Sequence, residues 1–523
     1  MKKAVVLILL LTIIVALTAC GNSGDKFDTG LLPTYDYVLN EQGNAVANIP
    51  FADYLNYGEY DLSDAGMIKY ASQIGASESA SGADNAYEIN DAIEEISQSG
   101  GGVIIIDGNY KVSTVELHSD VSMYIKKDCS LISVDYDENS SSYTKLNGAV
   151  VTANGADNIG IYGPGKIDGQ GESFTSDAKE SEPLQPLEKF NLKERVLGAR
   201  NRIRAGKDGR VSILYFNNCS NVEIGNVEFY RSASWTCNLT DCNDVNIANC
   251  VINNNFYVAN SDGFDIVGCQ GVKIQKCFIV TGDDGIVIKA NSDREVKDVT
   301  VEECKIMSLA NNFKIGTETS QDVSGINVKN CDFFMTGLVG GYSGIAIESA
   351  DGSNISDVEI SDIRMNGVSS PLLIWLGNRL KDDVKSVGSV KNINIFDVYC
   401  DDVELPSAIV GVKVKSDIHN VEGVTLKNFY VRYRNTKENL NVKTPALESK
   451  MDGYPEITRV SHKYMMSHEK SDYYDLPVYG LYVRYVDGLS IENFSVIPRK
   501  CSRLDKWNLD GELAVGATNV TVK

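Results

Sequence analysis

A cysteine recurs at a fixed interval through the middle of the chain, and its neighbours recur with it. Cys250, Cys277, Cys304 and Cys331 lie 27 residues apart, and Cys219, Cys242 and Cys269 form a second series with steps of 23 and 27. The stretch Asn218-Cys219-Ser220-Asn221-Val222-Glu223-Ile224 returns as Asp241-Cys242-Asn243-Asp244-Val245-Asn246-Ile247, and again as Gly268-Cys269-Gln270-Gly271-Val272-Lys273-Ile274. Weaker copies end at Val301, Val328, Ile360, Ile395, Leu426 and Ile491, the last after a step of 65 residues. Short Val/Ile strands at this period, with no helix between them, predict an all-β, right-handed parallel β-helix whose coils bury their apolar faces on one another. A propeller needs four strands per repeat, for which 27 residues is short; a β-sandwich is the other runner-up. Side chains alternate inward and outward along each strand, so one outward face makes a long groove. Asn and Asp at the turns tolerate left-handed backbone and can ladder along the stack.

The periodic cysteines read as interior columns, because free Cys behaves as a small buried apolar residue. The sequence has no CxxC pair and only four histidines, so no metal or other cofactor is expected. Tyr87 to Ile96 has apolar residues at helical spacing and is stopped by Gly100-Gly101-Gly102. It is expected to cap the open N-terminal end of the solenoid. Residues 21 to about 70 form a polar leader, expected to pack on the first coil. Residues 71–523 read as one β-helix domain, with loop insertions near 175–209 and 435–475. Long insertions usually rise on the functional face.

Lys2 and Lys3, the apolar run Val5–Leu17 and Leu17-Thr18-Ala19-Cys20 are similar to the signal peptide and lipobox of bacterial lipoproteins. That resemblance implies removal of residues 1–19 and a lipid on Cys20, anchoring the protein outside the cytoplasm, at a cell surface or outer membrane, without spanning a bilayer. An ordinary secretory signal is the alternative. Loss of the two lysines takes the formal charge from −22 to −24. So acidic a chain is a poor partner for nucleic acid, and a polyanionic substrate would be repelled unless its groove were locally basic. Nothing in the sequence asks for a second copy, and a monomer is expected.

The chemistry concentrates in Asn260-Ser261-Asp262 and Gly282-Asp283-Asp284. Asp262 and Asp283 are 21 residues apart, about one short coil, so three carboxylates should share one patch of surface. Glycosidic hydrolysis needs such a set, one acid for the leaving oxygen and one base for water. These stretches resemble the signature of glycoside hydrolase family 28, the polygalacturonase-like, pectin-degrading enzymes. Gly163-Pro164-Gly165-Lys166-Ile167-Asp168-Gly169-Gln170-Gly171, Ser232-Ala233-Ser234-Trp235, Leu376-Gly377-Asn378-Arg379 and Pro477-Val478-Tyr479-Gly480-Leu481-Tyr482 are similar to further stretches of that family. The resemblance implies an inverting hydrolase of a plant cell-wall glycan. Asp283 would be the general acid, and Asp262 and Asp284 would hold the water, with acid and base about 6.5–9.5 Å apart. Asn260 would be a hydrogen-bonding neighbour, and Asp265 structural.

Two departures stand out. Where the family carries Gly-His-Gly, this chain has Ala310-Asn311-Asn312; where it carries Arg-Ile-Lys, this chain has Ala346-Ile347-Glu348. The resemblance thus implies retained catalytic carboxylates and a lost uronate clamp, hence a specificity moved away from plain polygalacturonate. Asn311, Glu318 and Glu348 become candidate sugar contacts. Lys289 and Lys314 are possible groove cations but read first as solvated surface lysines, and Tyr342 could stack on a sugar. The alternatives are a weak or inactive glycan-binding surface lipoprotein, a structural solenoid, or a β-helix polysaccharide lyase, which would need a basic residue for proton abstraction.

Overall fold

The ends of the repeat stack in two unbroken columns. Val222 pairs with Val245, then Val272, Val299, Ile326, Val358, Ile393, Val424 and Leu489 on successive coils, all in parallel register. Ile224, Ile247, Ile274, Val301, Val328, Ile360, Ile395, Leu426 and Ile491 run beside them in the same register. Both columns face the interior, where side chains such as Ile274 and Ile360 are fully buried. Each such side chain adds roughly 1.5–3 kcal/mol by leaving water. The 65-residue step does not disturb the register, since Leu426 still pairs directly with Ile491. The architecture, in this computed structural model, is a right-handed parallel β-helix.

The described residues are mainly 65–135, 148–175, 209–334, 343–380, 386–433 and 480–497, apart from 257 and 404–406, with short pieces at 38–39, 45–46, 51–55, 62–63, 514–515 and 518–522. Cys20, Tyr342 and nearly all of both insertions lie outside them. A typical coil holds three strands, Cys237–Thr240, Asn243–Ala248 and Val251–Asn253. The first type forms a 12-stranded sheet with one strand per coil, and its outward face carries the candidate site. The other two types make the second wall.

The turns explain the repeat's polar letters. Asn218, Asp241 and Gly268, and likewise Asn221, Asp244 and Gly271, have φ between 52° and 69°. A β-branched residue there would be strained, whereas Asn, Asp and Gly are tolerated. The expected ladder forms: Asn221 Nδ2 donates to Asn158 Oδ1 at 2.6 Å, and Asn158 Nδ2 to Asp120 Oδ1 at 2.7 Å. All ten described cysteines are free, and all but Cys129 are buried. They are more than apolar filler. The Sγ of Cys242 donates weakly to Thr240 and Phe216 carbonyls, at 3.3 and 3.5 Å, and Cys269 repeats the arrangement one coil on.

The capping helix runs from Gly82 to Gln98, earlier and longer than its apolar spacing implies. Ser81 starts it by accepting from the Asp84 amide at 3.1 Å, an N-cap signal outside the apolar pattern. Ile89, Ala92, Ile93 and Ile96 bury its inner face. The leader departs from expectation. Met67–Tyr70 does head the first coil, pairing with Gly102–Ile106. Phe51 and Tyr54, however, reach far along the solenoid and meet Phe278 edge-on, at 5.3 and 5.4 Å. Phe278 points outward beside Phe334, 5.9 Å away, and that apolar pair needs cover.

Ile274→Ala is expected to destabilise the fold by about 2–5 kcal/mol in denaturant unfolding. Asn221→Val, forced to keep a positive φ, should cost more than Asn221→Gly, which removes the ladder bond alone.

Candidate active site

Three successive turns leading into the 12-stranded sheet build the site. They precede the strands Phe264–Val267, Ile286–Ala290 and Phe313–Thr319. Backbone bonds lock each turn to the next: Gly263 N donates to the Asp284 carbonyl at 2.9 Å, and Gly285 N to the Asn311 carbonyl at 2.8 Å. Ser261 is the clamp within the first motif. Its hydroxyl donates to the Val258 carbonyl at 2.8 Å and accepts from Gly282 N at 3.2 Å. The Cβ of any larger residue at Gly282 would sit 2.7 Å from that hydroxyl and 2.8 Å from two carbonyl oxygens. Thr281 and Ser308 both donate to the Asp283 carbonyl, at 2.7 and 2.6 Å.

The outcome is one carboxylate cluster. Oxygens of Asp262, Asp283 and Asp284 lie within 4.8 Å of one another, with Asp283 partly exposed and the other two buried. The figure takes one oxygen from each carboxylate, and the grouping is close because the two turns are neighbours bonded backbone to backbone. The same three oxygens are close enough for a divalent cation. Two ammonium groups, however, already supply positive charge on the flanks.

Those ammonium groups correct the reading of Lys289 and Lys314 as solvated surface lysines. Both are buried, at 4% and 3% exposure. Lys314 Nζ is 3.2 Å from Asp284 and 3.9 Å from Glu348. Lys289 Nζ is 3.1 Å from Asp265, 3.8 Å from Glu318 and 4.0 Å from Asp262. It also lies 3.6 Å from the centre of the Trp235 ring, a cation–π contact. Burial pushes Asp262 well above the ordinary carboxylate range; Asp265 and Asp283 add to the rise and Lys289 opposes it. Burial also lifts Asp265, to about 7, against the pull of Lys289. Burial disfavours the charge on Lys289, but Asp265, Asp262 and Glu318 outweigh it and hold the ammonium protonated. Glu318 goes the other way. Burial raises it, but Lys289, Lys314 and Arg379 together keep it below its usual value.

Of the candidate site residues Asn260, Asn311, Lys314, Glu318 and Glu348, the structure buries Asn311, Lys314 and Glu348 and leaves Glu318 and Asn260 open to solvent. Asn311 stands where a histidine was missing and serves Asp284, its Nδ2 donating to Oδ1 at 2.7 Å and its amide at 3.1 Å. At 1% exposure it offers a sugar no surface. Glu348 is fully buried beside Lys314, so it too orders the cluster instead of presenting an open acceptor. Lys314 is spent on Asp284 in the same way. Glu318 keeps a 36% exposed side chain at the rim. Asn260 is exposed and accepts from Arg210 Nη2 at 3.2 Å. Sequence reasoning missed Arg379 as a builder of the rim. It donates to Asp351 at 2.8 Å and to the Thr317 carbonyl at 2.9 Å, and lies 3.6 Å from Glu318.

The chain belongs to glycosyl hydrolase family 28: residues 103–448 match the profile of "Glycosyl hydrolases family 28". Among named relatives, it is 27% identical over 271 residues to an endo-polygalacturonase of Pectobacterium carotovorum subsp. carotovorum. That match spans 50% of this chain and 63% of the relative. The fold is shared with a hyperthermoactive exopolygalacturonase from Thermotoga maritima, with a TM-score of 0.61 at 16% identity over 85% of this chain and 95% of that one. It is also shared with a polygalacturonase from Erwinia carotovora ssp. carotovora, with a TM-score of 0.53 at 22% identity over 74% and 99%.

Lys314→Met would remove the buried ammonium that Asp284 and Glu348 share. Losing one partner of a buried ion pair costs about 3–5 kcal/mol. Thermal unfolding should show that loss, and Lys314→Arg, which keeps a cation there, should lose less.

Proposed function

We propose that the chain hydrolyses a glycosidic bond of a plant cell-wall, pectic glycan with inversion, at a sugar or linkage other than plain polygalacturonate. The observation that supports this most is the carboxylate cluster itself: three oxygens within 4.8 Å, one on a partly exposed residue and two buried. Asp283, the accessible member, gives its proton to the leaving oxygen as the bond to the anomeric carbon breaks. A water held by Asp262 and Asp284 attacks from the opposite face and releases its proton to that pair. Two oxygens this far apart can both accept from one water, whose bonds run roughly 2.7–2.8 Å.

The shifted specificity rests on the neighbouring coils. Lys314 pairs in register with Ala346, where the family resemblance calls for Arg, and Glu348 stands in place of Lys. Lys314 is engaged by Asp284 and Glu348, and Arg379 by Asp351. A uronate carboxylate arriving there meets carboxylates, and like charges in a site of low dielectric repel. Hydroxyl groups suit such a rim better, with Glu318 as the open acceptor. The same reading places the enzyme outside the cytoplasm as a monomer held by a lipid on Cys20, which incorporation of labelled palmitate into the wild type but not Cys20→Ser would test.

Reducing-end release from polygalacturonate, rhamnogalacturonan, xylogalacturonan and neutral side-chain oligosaccharides tests the activity. Turnover of a fragment other than polygalacturonate, abolished in a folded Asp283→Asn variant, is expected. Polygalacturonate as the best substrate would overturn the specificity. Binding without turnover would favour a glycan-binding protein.

A further inference from the structure

Lys289 and Asp265 take no part in the bond-breaking steps above, yet they are among the most buried charged side chains near the cluster, at 4% and 0% exposure. An isolated buried ammonium or carboxylate is costly, so such groups are retained only where they are paired. Here the pairing is lopsided. Lys289 Nζ touches Asp265 at 3.1 Å and stands 4.0 Å from Asp262, which is itself grouped with Asp283 and Asp284. Trp235 covers the ammonium at 3.6 Å, and Glu318 stands 3.8 Å away on the next strand. Among the described residues, Asp262 Oδ1 has no hydrogen-bond donor, and Asp265 has none within normal reach but this ammonium. Burial and the repulsion of Asp265, Asp283 and Asp284 therefore act on Asp262 against one buried cation, Lys289.

We propose that Lys289 and Asp265 are a pair of positioning residues that set the protonation of the water-holding Asp262: Lys289 keeps it available as a base, and Asp265 holds Lys289 in place and moderates its effect. This rests on the hydrolase reading. The groups around Asp262 are Asp265 on the strand its turn enters, Asp283 and Asp284 on the next turn, and Lys289 on the following strand. Glu318 acts on it through Lys289, and Lys314 compensates Asp284 on the other flank. The two residues should push Asp262 in opposite directions. Without Lys289, its carboxylate loses its cation and takes up a proton at higher pH, so the base is lost sooner on acidification. Without the charge of Asp265, a repelling neighbour goes and Lys289 is released toward Asp262, so the base survives to lower pH.

The test is the acid limb of the kcat–pH profile on whichever fragment the wild type turns over. Lys289→Met should move that limb to higher pH by about one unit or more, with a larger loss in kcat than change in KM. Lys289→Arg should restore it in part. Asp265→Asn should move it to lower pH. A structural role alone would lower activity at every pH without displacing the limb, and limbs that stay in place, or move in the same direction, overturn the inference. Should Lys289→Met fail to fold, Asp265→Asn and Lys289→Arg still decide the sign. A wild type inactive on every fragment would instead refute the hydrolase reading.

Discussion

The parallel backbone ladder between coils is the constraint on which everything else depends. Every coil must place its Val and Ile columns on those of the next, and its left-handed turn residues must fall at the same height. A slip of one residue would turn the inward column outward, exposing apolar side chains along the whole stack. That is why the register passes unbroken across a 65-residue step between Leu426 and Ile491. It is also why carboxylates from separate turns meet: Gly263 bonds to the Asp284 carbonyl, so Asp262 and Asp284 cannot move apart without breaking the ladder.

Within that frame, the site is an exercise in charge compensation. Asp262, Asp265, Asp283, Asp284, Glu318 and Glu348 crowd the outward face of one sheet, and Lys289 and Lys314 are interleaved among them. The lysines divide the work, one on the Asp262 flank and one on the Asp284 flank. With more carboxylates than cations, burial and mutual repulsion push Asp262 and Asp265 above the ordinary carboxylate range against the pull of Lys289. The same compensation engages Lys289 and Lys314, the two buried ammonium groups beside the cluster, with carboxylates of this chain.

Much of this was legible in the sequence, because its causes are local. The spacing of Cys, Asn and Val-x-Ile records the coil, and the turn positions of Asp262 and Asp283 follow from it. The capping helix was legible in its apolar face but not at its start, which Ser81 determines. What stayed hidden is what depends on the side chains of the adjacent coils. Lys289 and Lys314 looked like solvent-facing strand lysines because alternation places them outward. Only the stack shows that this outward face is itself buried and lined with acids. Asp265 and Lys289, at outward positions on consecutive coils, were the available signal. The path of Phe51 and Tyr54 to Phe278 left no trace in any periodic pattern.

Proton NMR of residues 27–523 acting on the pectic fragments bears most directly on the central claim, that a compensated cluster of three Asp activates water on the face opposite the leaving group. The first anomer to appear should have the configuration opposite to that of the linkage cleaved, with mutarotation following later. An initial product that keeps the configuration of the cleaved bond would contradict the account, since it would require one of the three carboxylates to attack carbon instead of holding water.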